Sequence, residues 1–293
     1  MCATHIFLSP HLDDAVFSCG GTIAALVAAG HSVKVVTVTA GSAHLARLPY
    51  SARRLHSLWG LSGDVVAARR EEDLSAASLL GFAPVHLDFL DAIYRSDIRG
   101  RFLYPTRDSL FPGGGWRRER PLVARLAERL SECARGRWSD AACLGGQAAG
   151  DGKAAHGRAP GGATWTVYAP LALGNHVDHQ LVRQAVRRSG LSPVWYEDFP
   201  YVGSMPALAC GDLRPAARWV ARRLGVRTDA IRPVLVPFNP AVRVRAMRVY
   251  RSQLSTVFGT EEEMIEDVVR FLPRADGGLP AERLWYPVGG SAS

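Results

Sequence analysis

Apolar and polar positions follow one another along this chain in blocks that suit strands and helices in turn. Residues 5–8 (HIFL) are a short run of strand formers that stops at the polar stretch Ser9-Pro10-His11-Leu12-Asp13-Asp14. Residues 15–29 then have helical length and end at Gly30, a natural helix stop. Residues 31–40 (HSVKVVTVTA) are dense in β-branched side chains and predict a second strand. Strand, helix and strand in this order imply a right-handed parallel crossover. Residues 43–63 predict a loop with a short helical piece over the carboxyl end of the sheet. Residues 69–80 predict a helix closed by Gly81, with its acidic side chains in the first turns, where the macrodipole favours them. A third strand is expected over 85–89, with Asp91 directly after it.

The second half repeats the alternation. Residues 94–115 predict a long loop of the kind that usually carries function, and Pro121 opens a helix to about Arg135. Residues 165–169 (WTVYA) predict a fourth strand, and Asn175-His176-Val177-Asp178-His179-Gln180 opens the helix after it. Further strands are expected at 194–197 and 231–236, helices at 216–224, 241–254 and 261–272, and a final edge strand at 284–288. Between these blocks, residues 140–164 are mostly Gly and Ala without periodicity, and Lys153 and His156 within them carry no expected role. They predict a flexible insertion, because the strand after them belongs to the same sheet. With no repeat and no second core, residues 1–293 are expected to form one α/β domain with a mostly parallel sheet.

Composition changes this picture little. The 293 residues are 47% hydrophobic and 21% charged, ordinary for a globular protein with a sizeable core. The net charge of +8 could attract nucleic acid or an acidic partner. However, only Lys34 and Lys153 are lysines, the arginines are scattered, and no basic block or basic–aromatic alternation occurs, so no nucleic-acid partner is expected. The five cysteines are odd in number and widely spaced, which fits neither a disulfide framework nor a CxxC zinc site. Cys19 is expected to be a small buried hydrophobe rather than a nucleophile. No signal-peptide pattern and no membrane-length apolar run is present, so a cytoplasmic location is expected.

The chemistry lies in the two polar clusters. In open α/β sheets, ligands bind beyond the carboxyl ends of strands, and both clusters fall there. Catalytic zinc takes three protein ligands and keeps a position for water. His11 and Asp14, three residues apart on a turn entering a helix, can meet one ion, which leaves Asp13 beside the water as a proton acceptor. The third ligand is His176 or His179, and the residues alone leave that choice open. The remaining histidine can stabilise an oxyanion or protonate a leaving group. Each cluster also has a plainer reading: an Asp after Pro-His can cap the helix, and HxxH can be two solvent-facing histidines. Their common placement after strands of one sheet favours a mononuclear metal hydrolase.

Ser9-Pro-His11-Leu-Asp13-Asp14 with Ser18-Cys-Gly20-Gly21-Thr22-Ile-Ala24 resembles the first motif of the LmbE/PIG-L family of zinc-dependent N-acetylglucosaminyl deacetylases. His176-Val-Asp178-His179 resembles the second, Arg69-Arg-Glu-Glu72 is similar to the family's RxxE helix, and Asp91 falls where members carry an Asp after the third strand. The likeness covers most of residues 4–200, and more loosely 250–253. It implies a Rossmann-like sheet flanked by helices. It further implies zinc, or another divalent metal such as Fe2+, on His11, Asp14 and His179. Asp13 is then the general base, His176 polarises the amide carbonyl, Asp178 orients a histidine, and Arg69 and Asp91 bind substrate. Arg69 could instead form a surface salt bridge to Glu72 or Asp73. Members commonly carry Glu after the Asp pair, where this chain has Ala15, and the insertion at 140–164 is also a departure.

The expected activity is removal of an N-acetyl or other N-acyl group from an N-acetylglucosaminyl-type small molecule. The alternatives are an amidase acting on a larger N-acyl glycoside or thiol conjugate, and a non-catalytic metal- or sugar-binding module. Trp116, Tyr104 and Tyr201 are candidate sugar-stacking rings. Homo-oligomerisation stays open.

Overall fold

The computed structural model of the chain describes residues 3–43, 47–136, 138–139, 143, 156–158, 164–209 and 213–288. Its centre is β1 (Thr4–Ser9), which pairs in parallel with β2 (Ser32–Thr37) on one side and β5 (Thr164–Pro170) on the other. The parallel strands β3 (Ala83–His86) and β6 (Val194–Tyr196) extend the sheet beyond β2 and β5. Antiparallel β8 (Ala281–Pro287) and β7 (Ile231–Pro237) complete the order β3-β2-β1-β5-β6-β8-β7. A short β4 (His156–Arg158) pairs antiparallel with β5 beside that path. The chain builds outward from β1 to β3, then returns to lay β5 on the opposite side of β1. The gap between the carboxyl ends of β1 and β5 is therefore the switch point of this Rossmann-like sheet, where such folds bind ligands.

β1 is apolar without alternation because helices cover both faces of the sheet. Ile6, Phe7 and Leu8 are fully buried, and each such side chain contributes about 1.5–3 kcal/mol by leaving water. On one side α1 (Asp14–Ala28) packs against α3 (Val65–Leu80) and α8 (Pro240–Met247), and on the other α4 (Arg120–Arg135) lies along α5 (Val177–Ser189). The glycine pair in α1 has a packing cause: a Cβ on Gly21 would stand 2.1 Å from the Phe238 ring. α3 starts where the Asp64 side chain accepts from the Ala67 N–H at 3.0 Å, and stops at Gly81 with φ +80°. The remaining helices are α2 (Tyr50–Leu58), α6 (Pro206–Ala209), α7 (Leu213–Leu224), α9 (Arg251–Val257) and α10 (Glu261–Phe271).

Three sequence expectations need correction. The third strand covers residues 83–86 instead of 85–89, and only Asp88 bridges back, to Thr39. Its Pro84 is tolerated because β3 is an edge strand. The final strand is not an edge: β8 lies between β6 and β7, and its first five residues are all buried. The edge is β7, whose Pro233 and Pro237 suit that place. The expected helix at 241–254 is two helices, α8 and α9. They part where the Tyr250 side chain turns inward, meeting the Phe17 ring edge-on at 5.5 Å and donating to Asp73 at 2.7 Å. Most of the insertion expected at 140–164, with Cys2, Cys210 and Lys153, lies outside the described residues. Cys19, Cys133 and Cys143 are buried, and burial pushes the Cys19 thiol up, away from thiolate chemistry.

Candidate metal centre and active site

Each of four parallel strands delivers an acidic side chain to one spot beyond its carboxyl end. β1 leads to Asp13 and Asp14, β3 to Asp91, β5 to Asp178 and β6 to Asp198. The histidines arrive with the two central strands. His11 sits on the turn between β1 and α1, where its N–H donates to Asp14 Oδ2 at 2.8 Å. Asp13 occupies the helix N-cap position but makes no side-chain cap bond, so capping is not its use. His176 precedes α5 and His179 lies in its first turn.

One carboxylate oxygen organises the group. Asp14 Oδ2 lies 2.9 Å from His11 Nδ1 and 3.2 Å from His179 Nε2. Bonds of about 2.0–2.2 Å to a tetrahedral zinc place ligand atoms about 3.3 Å apart, close to the spacing Asp14 Oδ2 keeps with each imidazole. Among the described residues His11 also stands at metal-ligand spacing with His176 and His179, with Asp91 and Asp178, and with Asp13 and Asp14. The ring atoms facing away are also tied. His11 Nε2 is 3.1 Å from Asp178 Oδ2, and His179 Nδ1 is 2.6 Å from Asp198 Oδ1. A histidine whose far nitrogen is held by a carboxylate presents the near one, in a fixed tautomer and orientation, to a metal. Burial raises the carboxyl of Asp14, but the His179 and His11 imidazoles outweigh it and hold the group well below its usual range. For His179 burial lowers the imidazole, and Asp14 and Asp198 reverse this, raising it to about 9. The two shifts are largely one interaction seen from both sides: the imidazoles favour the ionised carboxylate, and the carboxylates favour the protonated imidazole.

The other candidates surround this trio. Burial, with Asp14 beside it, pushes Asp13 up to about 6. Asp13 Oδ1 is 3.5 Å from Arg69 Nη2, and Asp91 Oδ2 is 3.8 Å from Arg69 Nη1. Arg69 is 7% exposed and lies over the Trp59 ring at 4.7 Å. It makes no surface salt bridge. Glu72 accepts from Ser252, and Asp73 binds His86 and Tyr250. His176 meets His11 edge-on at 4.8 Å, and its Nδ1 accepts from the Asp178 N–H at 3.3 Å. Burial and the nearby His11 hold its imidazole well below the usual value, so it is neutral with Nε2 as its donor.

His11, Asp13, Asp14, Arg69, Asp91 and His176 line a cavity of about 190 Å³ whose wall also includes Leu55, Trp59, Leu110, Phe111 and Val257. Of the three candidate stacking rings, Tyr201 alone lines the cavity. Tyr104 is buried with its hydroxyl on Glu119 at 2.5 Å, and Trp116 packs against the core. The sequence reading missed Asp198 and the α9 residues Gln253, Thr256 and Val257. Asp198 carried the same signal as Asp91, an acid just past a strand. Gln253 lay at the end of the looser likeness over 250–253, and Thr256 and Val257 carried no signal, because they reach the cavity from far along the chain.

An open α/β sheet that gathers histidines and carboxylates at its switch point is built as an enzyme builds its site. The chain is a member of the PIG-L family: the family model described as GlcNAc-PI de-N-acetylase matches residues 6–189. It is 30% identical over 293 residues to a 2'-N-acetylparomamine deacetylase of Streptomyces fradiae, covering 98% of this chain and 82% of that one. It is 28% identical to the Niallia circulans deacetylase of the same description, covering 88% and 83%. Among solved structures, the A40926 pseudoaglycone deacetylase superposes with a TM-score of 0.64 at 27% identity, covering 99% of this chain and 98% of that one. Teicoplanin deacetylase in a zinc-inhibited form superposes with a TM-score of 0.71 at 24% identity, covering 99% and 100%, a likeness of fold. Among the described residues, no helix is long and apolar enough to cross a membrane.

Proposed function

We propose that this protein is a zinc-dependent deacetylase of N-acetylated amino sugars. The observation that carries the proposal is the single oxygen of Asp14 faced by two imidazoles, each backed by its own carboxylate. The paromamine deacetylases support an amino-sugar substrate, and the family's own description agrees with it.

In this proposal His11, Asp14 and His179 hold the metal, zinc or a similar divalent ion such as Fe2+. When bound, the metal supplies Lewis acidity at neutral pH. Asp13, beside the trio but outside it, takes a proton from the attacking water. His176 donates from Nε2 to the oxygen that becomes negative as the acyl carbon turns tetrahedral. The C–N bond then breaks, acetate departs, and the amine keeps the proton that Asp13 removed from water. Asp178 orients His11. Arg69 and Asp91, at the cavity wall, bind hydroxyls of the sugar.

The test is metal analysis of the purified protein together with amine release from 2'-N-acetylparomamine and simple N-acetylglucosaminides. Asp13→Asn is expected to keep its metal and lose about 10²–10⁴-fold in rate. Full activity in both Asp13→Asn and His11→Ala would show the mechanism to be wrong. A metal-bearing protein that releases no amine from any N-acyl sugar would leave only a binding module.

A further inference from the structure

Behind His11 stands a buried polar chain of which the reaction scheme uses only the first member, Asp178. Asp178 is fully buried, and its Oδ2 faces His11 Nε2 and accepts from the Ala92 N–H at 3.0 Å. Its other oxygen, Oδ1, accepts from Arg95 Nη1 at 2.5 Å. Arg95 is 6% exposed. Its Nη1 also donates to the Leu90 carbonyl at 2.8 Å, while its Nη2 donates to Glu119 Oε2 at 2.9 Å and its Nε lies 2.6 Å from Glu119 Oε1. Tyr104 closes the chain, donating to Glu119 and lying 5.5 Å from the Arg95 guanidinium. Two buried carboxylates thus share one planar cation, whose fork fixes the angle between them.

We propose that Arg95 is a positioning residue for the metal centre. By taking Asp178 Oδ1, it commits Oδ2 to the Nε2–H of His11 and so turns His11 Nδ1 toward Asp14. Glu119 and Tyr104 hold Arg95 in that pose. The same segment supplies Ile93, Leu110 and Phe111 to the cavity, so the wall and the metal histidine hang from one strut. Replacing the whole network by packed apolar residues could be neutral for folding, but removing Arg95 alone leaves two buried carboxylates uncompensated. Here an apolar residue would free Asp178 to rotate, and with it the imidazole.

The proposal rests on the metal reading above, and its readout is metal affinity, which needs no substrate. Zinc binding is measured by competition with a chromophoric chelator at fixed pH on wild type, Arg95→Met, Arg95→Lys and Glu119→Gln, with a thermal melt of each. Arg95→Met is expected to bind zinc about 10–100-fold more weakly, the usual range for residues that support metal ligands. Its kcat should fall while KM stays near wild type. Arg95→Lys should recover part of the affinity, because one ammonium can reach Asp178 without bridging to Glu119. A folded Arg95→Met that binds zinc like wild type overturns the proposal. Should that variant not fold, Glu119→Gln decides: weaker zinc binding supports the strut, and unchanged binding overturns it. A wild-type protein that takes up no divalent metal overturns the metal reading itself.

Discussion

The floor and the rim of the cavity are built from different material. The floor is charged and comes from strand ends: His11, Asp13, Asp14 and His176 line it, and the buried His179, Asp178 and Asp198 stand outside the lining, where β5 and β6 leave the sheet. The rim is largely apolar and comes from helix ends and loops: Leu55 and Trp59 at the end of α2, Phe111 in the long loop, Val257 at the end of α9. A strand end is fixed by its ladder and by neighbours on both sides, so it can hold ligand atoms at bonding distance. A helix end or a loop tolerates change. The floor therefore suits an unchanging reaction, and the rim suits a substrate that differs among relatives.

Variants of the floor should be the more damaging. His179→Ala removes a proposed metal ligand, and metal uptake and amine release are both expected to collapse, the rate by about 10³-fold or more. Metal analysis and a rate assay check this. Asp198→Asn keeps the ligand but loosens its hold, and should weaken zinc binding by about 10–100-fold in a chelator competition. At the rim, Val257 is 37% exposed. Val257→Asp should raise KM about tenfold or less, by loss of an apolar contact worth about 1 kcal/mol, with kcat unchanged. A large fall in kcat there would break the distinction between floor and rim.

The smallest effect is expected at the far end of β1. Burial and the nearby His31 depress His5 to about 4, so the unfolded chain takes up its proton first. The stability this group confers is complete above about pH 6.5 and is lost as pH falls toward 4. His5→Gln should flatten that loss in melting curves and leave the rate on any substrate untouched.

The same contrast explains what could be seen in the sequence. The parallel half was legible because each strand is a short β-branched run and each chemical cluster follows one directly. Asp13 and Asp14 could be named as candidates from spacing alone. His176 and His179 could not be told apart by it, because both lie within one turn. Their contacts differ, since His179 faces Asp14 while His176 takes the N–H of Asp178, although both stand with His11 at metal-ligand spacing. Asp198 gave a signal that would have sufficed, an acid two residues past a strand. Arg95 and Glu119 gave none, since only the folded loop brings them to Asp178. The antiparallel end was misplaced because an isolated apolar run at 284–288 does not say which neighbours cover its two edges.

That last strand has a consequence for how the chain is made. β8 lies between β6 and β7 and pairs with both, and its Glu282 reaches α1 to accept from the N–H groups of Gly21 and Thr22 at 3.0 and 2.7 Å. While a ribosome is still working through the region before residue 281, the outer edge of β6 has no partner, and β7 has nothing to join. A nascent chain at that stage offers an open strand edge to any neighbour, the usual start of misassembly. Completion of the sheet waits on its closing residues, and the first helix waits with it.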